Sequence, residues 1–600
     1  MATPAEKVAH IDRLDWRQLE LGEGIRRSGA DLATELDWRT LSRIVGGPPY
    51  VRRQRIRTRR ATACSKGSRS ATAAHREADD GNRTRLSSMK SYSRPGGRYP
   101  KAGRCDCRQI QMPTAAAVSV QMVLLVPNMV TVRPSQVQSP CCGLRPERNM
   151  VPTIKGAVMT GPLRPTDWYP IPSGAPVGVA APQPKNDPFY KYTASKPLAD
   201  IAPGTVLKTR SVPYHVFGIP TLLKTTQLLY RSTSQTGDPT VNVTSVIQPP
   251  NELLDAEKVI SYQSAYDSLN QNDEPSYSIS GGFRLRGMII DVEAGVFGPF
   301  LADGYTVIVP DTEGQEARFA AVREYGHNTL DSIRAAFNSP TVGLPSDAKV
   351  AMLGYSGGAI ATEWAAELAP RYAPDVNARL IGAAMGGVLV HPARNLHYVD
   401  GSLFWPGVMP MALVGLGRAF KRDFRNDLSG YGVQLYNKLR TASIIDVLGH
   451  YPGLTWQKLA KPDYPTPERL PFFAALANQL IMGTGDAPTI PLFIGQGANG
   501  ARWEGTPGDK PDIGPGDGVM IAGDVRTLAR DYCKKGTTVH YEQYDSLSHI
   551  WSIRMWVPNA IAWIKERFAG LPAPQNCSSI KPGNKLPPIQ VPSSADGSLA

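Results

Sequence analysis

The chain has 600 residues, 42% of them hydrophobic, and no run of about 18 apolar residues, which excludes a membrane-spanning helix and allows one large core or several. Its net charge of +14 would suit a nucleic-acid partner if it were spread along the chain. Instead residues 51–110 hold 17 Lys and Arg against 4 Asp and Glu, whereas residues 151–600 hold 39 of each, so no nucleic-acid partner is expected for the greater part of the chain.

Residues 1–160 form the first region. From Val51 to Arg108 they are arginine-rich, lack apolar periodicity and hold too few aliphatic side chains to offset chain entropy, so a disordered extension is predicted. The abrupt change of composition near residue 150 favours an unselected extension over a nucleic-acid-binding arm, with Met112, Met122, Met150 and Met159 as alternative starts. The run PTAAAVSVQMVLLV, Pro113–Val126, reads like the apolar core of a signal sequence, but no small-x-small cleavage site follows it. Five of the seven cysteines (Cys64, Cys105, Cys107, Cys141 and Cys142) lie in this region without a second pair at zinc spacing, so no metal is expected. Residues 161–203, rich in proline and turn formers, read as a linker or an extended wrap.

From residue 204 the pattern is that of a folded domain, predicted to extend to 570, with a Pro/Ser-rich tail over 571–600. Two β-rich runs flank the turn Gly237-Asp238-Pro239. GYTVIVPDTEG, Gly304–Gly314, is a short buried strand ending in a polar loop. Helical spacing follows over Asn328–Phe337, then a strand at Ala348–Leu353 and a helix at Ala359–Leu368. Further on come an apolar strand at Ile490–Ile494, a helix at Val525–Tyr532, an alternating strand at Val539–Tyr544 and a last helix at Ala560–Phe568. This alternation predicts an α/β fold: a mostly parallel sheet with helices on both faces. Between about 391 and 480 the alternation fails, and the stretch reads as an inserted helical cap. Its apolar residues Phe404, Trp405, Met409, Met411, Leu413 and Leu416 suit an acyl pocket or the core of the cap equally.

The chemistry is concentrated in Gly354-Tyr355-Ser356-Gly357-Gly358, which joins a strand to a helix. A Gly-x-Ser-x-Gly pentapeptide is weak alone; at a strand-to-helix turn it has the context of a nucleophile elbow, whose bare glycines let neighbouring backbone approach. A serine hydroxyl needs a base, and the base an orienting carboxylate, in the chain order Ser, Asp, His for this kind of fold. Of the histidines beyond Ser356, His391, His397 and His450 fall in or beside the cap and His540 within a strand. His549, in the loop before the last helix, is the expected base. Asp509, Asp512, Asp517, Asp524, Asp531 and Asp545 all qualify by order as the acid. Asp517, in a glycine-rich turn, is preferred over Asp512, while Asp524 reads as a helix N-cap. An oxyanion needs two donors: the Gly357 N–H, and a second from the loop after the earlier strand, where Asp311 is the candidate.

Four stretches, LLYRSTSQTGDPTVNVTSVIQPP, VISYQSAYDSLNQNDEPSYSI, GYTVIVPDTEG and VAMLGYSGGAIATEWAAELAP, resemble the secretory lipase family of fungi and actinobacteria. The resemblance spans roughly residues 187–571. It implies an α/β-hydrolase fold with a helical lid, acting without a cofactor on acylglycerols and other carboxylic esters. Its expected partner is a lipid or ester substrate at a lipid–water interface, and its location extracellular. The family's nucleophile maps to Ser356, its histidine to His549, its acid to Asp517 and its oxyanion pair to Asp311 and Gly357. The segment ANGARWEGTPGDKPDIGPG departs from the pattern by lengthening the acid turn. Cys533 and Cys577 are either free thiols or, in a secreted protein, one disulfide. An acyltransferase or short-chain esterase on the same residues is the nearest alternative, and a nucleic-acid-binding protein using residues 51–110 a distant one.

Overall fold

The structure, a computed structural model, describes residues 181–470 and 472–590. Expectations for residues 1–180, including the arginine-rich region and the Pro113–Val126 run, lie outside the described residues. From residue 181 to 203 the chain makes three short 3-10 turns and lies against the first strands. Asp187 pairs with Arg210 at 2.5 Å, and buried Tyr190 shares a hydrogen bond with Ser276.

Nine strands form one sheet: β1 (Val206–Val216), β2 (Ile219–Thr233), β3 (Pro239–Gln248), β4 (Lys258–Gln263), β5 (Thr306–Pro310), β6 (Lys349–Tyr355), β7 (Leu380–Gly386), β8 (Leu492–Gly497) and β9 (Val539–Tyr544). The order is β1-β2-β3-β5-β4-β6-β7-β8-β9, antiparallel as far as the β3–β5 pair and parallel from β5 to β9. Strand periodicity feeds two cores. In β6, Val350 and Met352 face the helices Val322–Phe337 and Gly357–Tyr372, while Ala351 and Leu353 face Ile289–Ala302 and His549–Phe568. Helices cover both faces, and the architecture is the α/β-hydrolase fold.

The stretch between β7 and β8 is helical, with Pro392–Val399, Val408–Ala419, Gly430–Lys438 and Phe473–Asn478 as its main segments. Three helices begin three or more residues earlier than their spacing predicts. The first starts at Val322 and not Asn328, and holds Gly326 within it. A side chain there would come within 2.9 Å of the Trp364 backbone, so this glycine serves close helix packing. The second starts at Ala522, its N-cap is Ile521, and Asp524 is no cap: it pairs with Arg394 at 3.0 Å. The last runs His549–Phe568 through Pro558, so His549 opens the helix and does not sit in the loop before it. After that helix the chain crosses back over the domain, with Cys533 and Cys577 joined in a disulfide and Ile580 buried.

Candidate active site

Ser356 sits where β6 turns into the helix Gly357–Tyr372, with φ 54° and ψ −120°, a strained region for a side-chain-bearing residue. The turn is affordable only because its neighbours are bare. A Cβ on Gly354 would lie 2.2 Å from Gly358 O, and one on Gly358 would lie 2.0 Å from Gln263 O of β4. The Ser356 N–H donates to Gly386 O of β7 at 2.8 Å, locking the turn between its parallel neighbours.

Ser356 Oγ lies 2.8 Å from His549 Nε2, and His549 Nδ1 lies 2.8 Å from Asp517 Oδ2. The backbone repeats the link, since the His549 N–H donates to Asp517 O at 2.7 Å. Tyr355 donates its hydroxyl to His549 O at 2.6 Å, so the residue before the serine fixes the helix end that carries the histidine. The Asp517 carboxylate also accepts from Gln496 Nε2 at 2.8 Å and from the Val519 and Met520 N–H groups at 3.1 and 2.7 Å. Such a carboxylate is held in one orientation. Burial works against a charge on His549, but Asp517, Glu504 and Asp267 outweigh it and raise its pKa above 6.5. The arrangement can pass a proton from Ser356 to a histidine whose charged form is stabilised.

The other acid candidates are elsewhere. Asp512 and Asp509 are exposed, Asp531 pairs with Lys534, Asp545 accepts from Gln543, and Asp524 is taken by Arg394. Nor is Asp311 beside Ser356 in the way its motif suggests. Its N–H donates to Val243 O, and its carboxylate accepts from the Ser276 N–H and hydroxyl, so the expected oxyanion donor is already spent. The residue that does approach is Asp267, held at φ 32° in the loop after β4. A side chain on Gly357 would lie 2.0 Å from Asp267 Oδ1, and burial pushes the Asp267 carboxyl up to about 7. The Gly357 N–H is at the first helical position, where no intrahelical acceptor exists. The signal for Asp267 lay in the sheet order: β4, not β5, is the strand paired with β6, through Gln263 and Gly354. Glu313 braces that loop from behind, accepting from the Ser268 N–H at 3.0 Å.

An apolar cavity leads from Ser356, Gly357 and Asp267 into the cap. Val408, Ala412 and Leu416, spaced by one helical turn, line it. Met409, Met411 and Leu413 on the same helix are buried in the cap itself, so the apolar cap residues divide between the two roles. Trp405 lines the cavity too and covers His549. Buried Glu504, in the segment that lengthens the acid turn, accepts from Trp405 Nε1 and from the Ile550 N–H, the latter at 3.0 Å. No short motif marked Glu504.

The sequence profile of the secretory lipases matches residues 281–503 and 513–576. Lipase 4 of Candida albicans is 31% identical over 414 residues, 66% of this chain and 84% of that one. A protein described as probable inactive lipase MT1628, from Mycobacterium tuberculosis, is 31% identical over 400 residues, 65% and 83% of the two chains. The crystal structure of Candida antarctica lipase A in its closed state superposes with a TM-score of 0.58 at 27% identity, covering 68% of this chain and 91% of the other. The chain belongs to the secretory lipase family, and with its fold this supports hydrolysis of lipid esters.

Proposed function

We propose that Ser356 is the nucleophile of a lipase or carboxylesterase that cleaves acylglycerols or other fatty esters outside the cell. Ser356 Oγ attacks the ester carbonyl as its proton passes to His549 Nε2. The negative oxygen lies at the Gly357 N–H, with the Asp267 carboxyl, in its protonated form, beside it as the second donor. The intermediate collapses, the alcohol leaves with the proton from His549, and the acyl group stays on Ser356. Water then loses a proton to His549, attacks the acyl carbonyl and frees the fatty acid as Ser356 regains its proton. Asp517 holds the imidazole in one tautomer and stabilises its charged form. These steps need only the chain's own groups and water.

The observation that carries this reading is the unbroken pair of 2.8 Å hydrogen bonds from Ser356 through His549 to Asp517, beginning at a strained elbow. The apolar lining of the cavity supports an acyl chain as the group beyond the carbonyl. Secretion is supported by the family and by the Cys533–Cys577 disulfide, which suits an oxidising compartment. An alkyl fluorophosphonate tests the nucleophile. The peptide holding Ser356 should gain the phosphonyl mass in wild type and much more slowly in His549→Ala. Labelling at another residue would contradict the assignment.

A further inference from the structure

Beside this site the chain leaves apolar side chains in water. Trp503, Ile550, Trp551 and Met555 are 46%, 47%, 39% and 51% exposed, and Leu403 of the cap 60%. They form one patch drawn from three segments. The Trp503 and Trp551 rings meet at 5.6 Å, Met555 lies one turn beyond Trp551, and the Leu403 N–H donates to Gly505 O at 3.2 Å. The rim is cationic: the Arg502 guanidinium lies 4.9 Å above Trp503 and that of Arg554 4.4 Å above Trp551. Neither arginine forms an ion pair among the described residues. Two acids are near: Glu504, which accepts from the Ile550 N–H, and Asp545, which accepts from Gln543 and is next to Ser546, whose carbonyl accepts from Trp503 Nε1.

The patch touches the machinery that covers the site. Ile550 follows His549, and its N–H is held by Glu504, the same carboxylate that holds Trp405 Nε1 over the His549 ring. We propose that this patch is the face by which the protein seats on a lipid–water interface carrying anionic headgroups. Indoles favour the boundary between acyl chains and headgroups, and arginines above them reach lipid phosphates. The choice of a lipid over a protein partner rests on the ester-hydrolase reading above and on the two guanidiniums that lack acidic partners. Segment 504–512, which joins Trp503 to the acid turn, falls between the two stretches matched by the family profile.

The test uses the full chain and vesicles of three parts brominated phosphatidylcholine to one part phosphatidylglycerol. Bromine quenches only indoles at the acyl chains, so the difference between wild type and a variant lacking Trp503 and Trp551 reports this face even if the basic residues 51–110, flanked by Trp16, Trp38 and Trp168, also hold the vesicle. Wild-type fluorescence should be quenched on binding. Trp503→Phe/Trp551→Phe should still co-float with the vesicles yet lose most of that quenching. Trp503→Ser/Trp551→Ser should lose about tenfold in vesicle affinity at 0.5 M salt, where long-range charge is screened. Both variants should keep wild-type rates on soluble p-nitrophenyl butyrate, which separates this test from that of the ester-hydrolase reading. Undiminished quenching in the Phe pair, or no vesicle binding by wild type, overturns the proposal; the second outcome would leave the patch to a protein partner.

Discussion

Trp405, from the cap, lies edge-on against the imidazole of His549, ring centroids 5.2 Å apart and planes at 85°. The cap therefore touches the catalytic candidate directly, and Glu504 fastens the contact from the other side. Because Glu504 is among the charges that raise the His549 pKa, Glu504→Gln should lower it. With neutral His549 as the proposed base, kcat/KM should fall as pH drops through that pKa. In Glu504→Gln the acid limb should move to lower pH. Glu504→Ala leaves Trp405 Nε1 and the Ile550 N–H without their acceptor and should cost about 1–3 kcal/mol in a urea melt.

Stability should fall between pH 6.5 and 8. Burial pushes Asp267 and Glu293 up to about 7, and His549 is raised as well. Each of these groups holds its proton more tightly folded than unfolded, so its contribution is complete below its unfolded pKa and is lost as pH rises through the folded value. Below pH 6.5 the further gain on acidification, to which Asp311 and Asp331 at about 6 add, should be partly offset. Burial lowers His327 and His391 to about 4, and the unfolded chain then takes up protons that the fold refuses. A melting series across this range should show a Tm lower by a few °C, on the order of 3, at pH 8 than at pH 6.5.

The two glycines after Ser356 should fail differently. In Gly358→Ala the new methyl meets the Gln263 backbone carbonyl, which cannot yield, and the fold should lose roughly 3 kcal/mol or more. In Gly357→Ala it meets the Asp267 carboxylate, a side chain that can swing away. That variant should fold near normally but lose about 10²-fold or more in kcat, because the oxyanion position is disturbed. Circular dichroism melts beside ester kinetics separate the two.

Ala412 lies between Val408 and Leu416 on the helix face that lines the cavity. Ala412→Phe should fill part of the space where an acyl chain would run. The ratio of palmitate to butyrate ester hydrolysis should fall by about tenfold or more, with butyrate little changed. An unaltered ratio would place the acyl chain elsewhere.

Much of this architecture was legible because it follows local periodicity. Val350–Leu353 alternates between two cores as a buried strand must, and the order Ser356, Asp517, His549 needs only chain sequence. Pairing between distant segments was not legible. Asp311 looked right because its loop follows a clear strand, whereas the neighbour of β6 is β4, a fact set by sheet order. Asp267 and Glu504 gain their places through that tertiary arrangement, and no spacing in the sequence announces it. Two helices begin well before the stretch their spacing marks, and each carries a poor helix former inside it, Gly326 in one and Pro558 in the other.

The most direct test of the account is hydrolysis of p-nitrophenyl butyrate and palmitate by the purified chain, wild type beside Ser356→Ala. Cleavage by wild type with a fall of roughly 10⁴-fold or more in the variant is the expected result. Equal activity in the two proteins would show that Ser356 is not the nucleophile and would contradict the account.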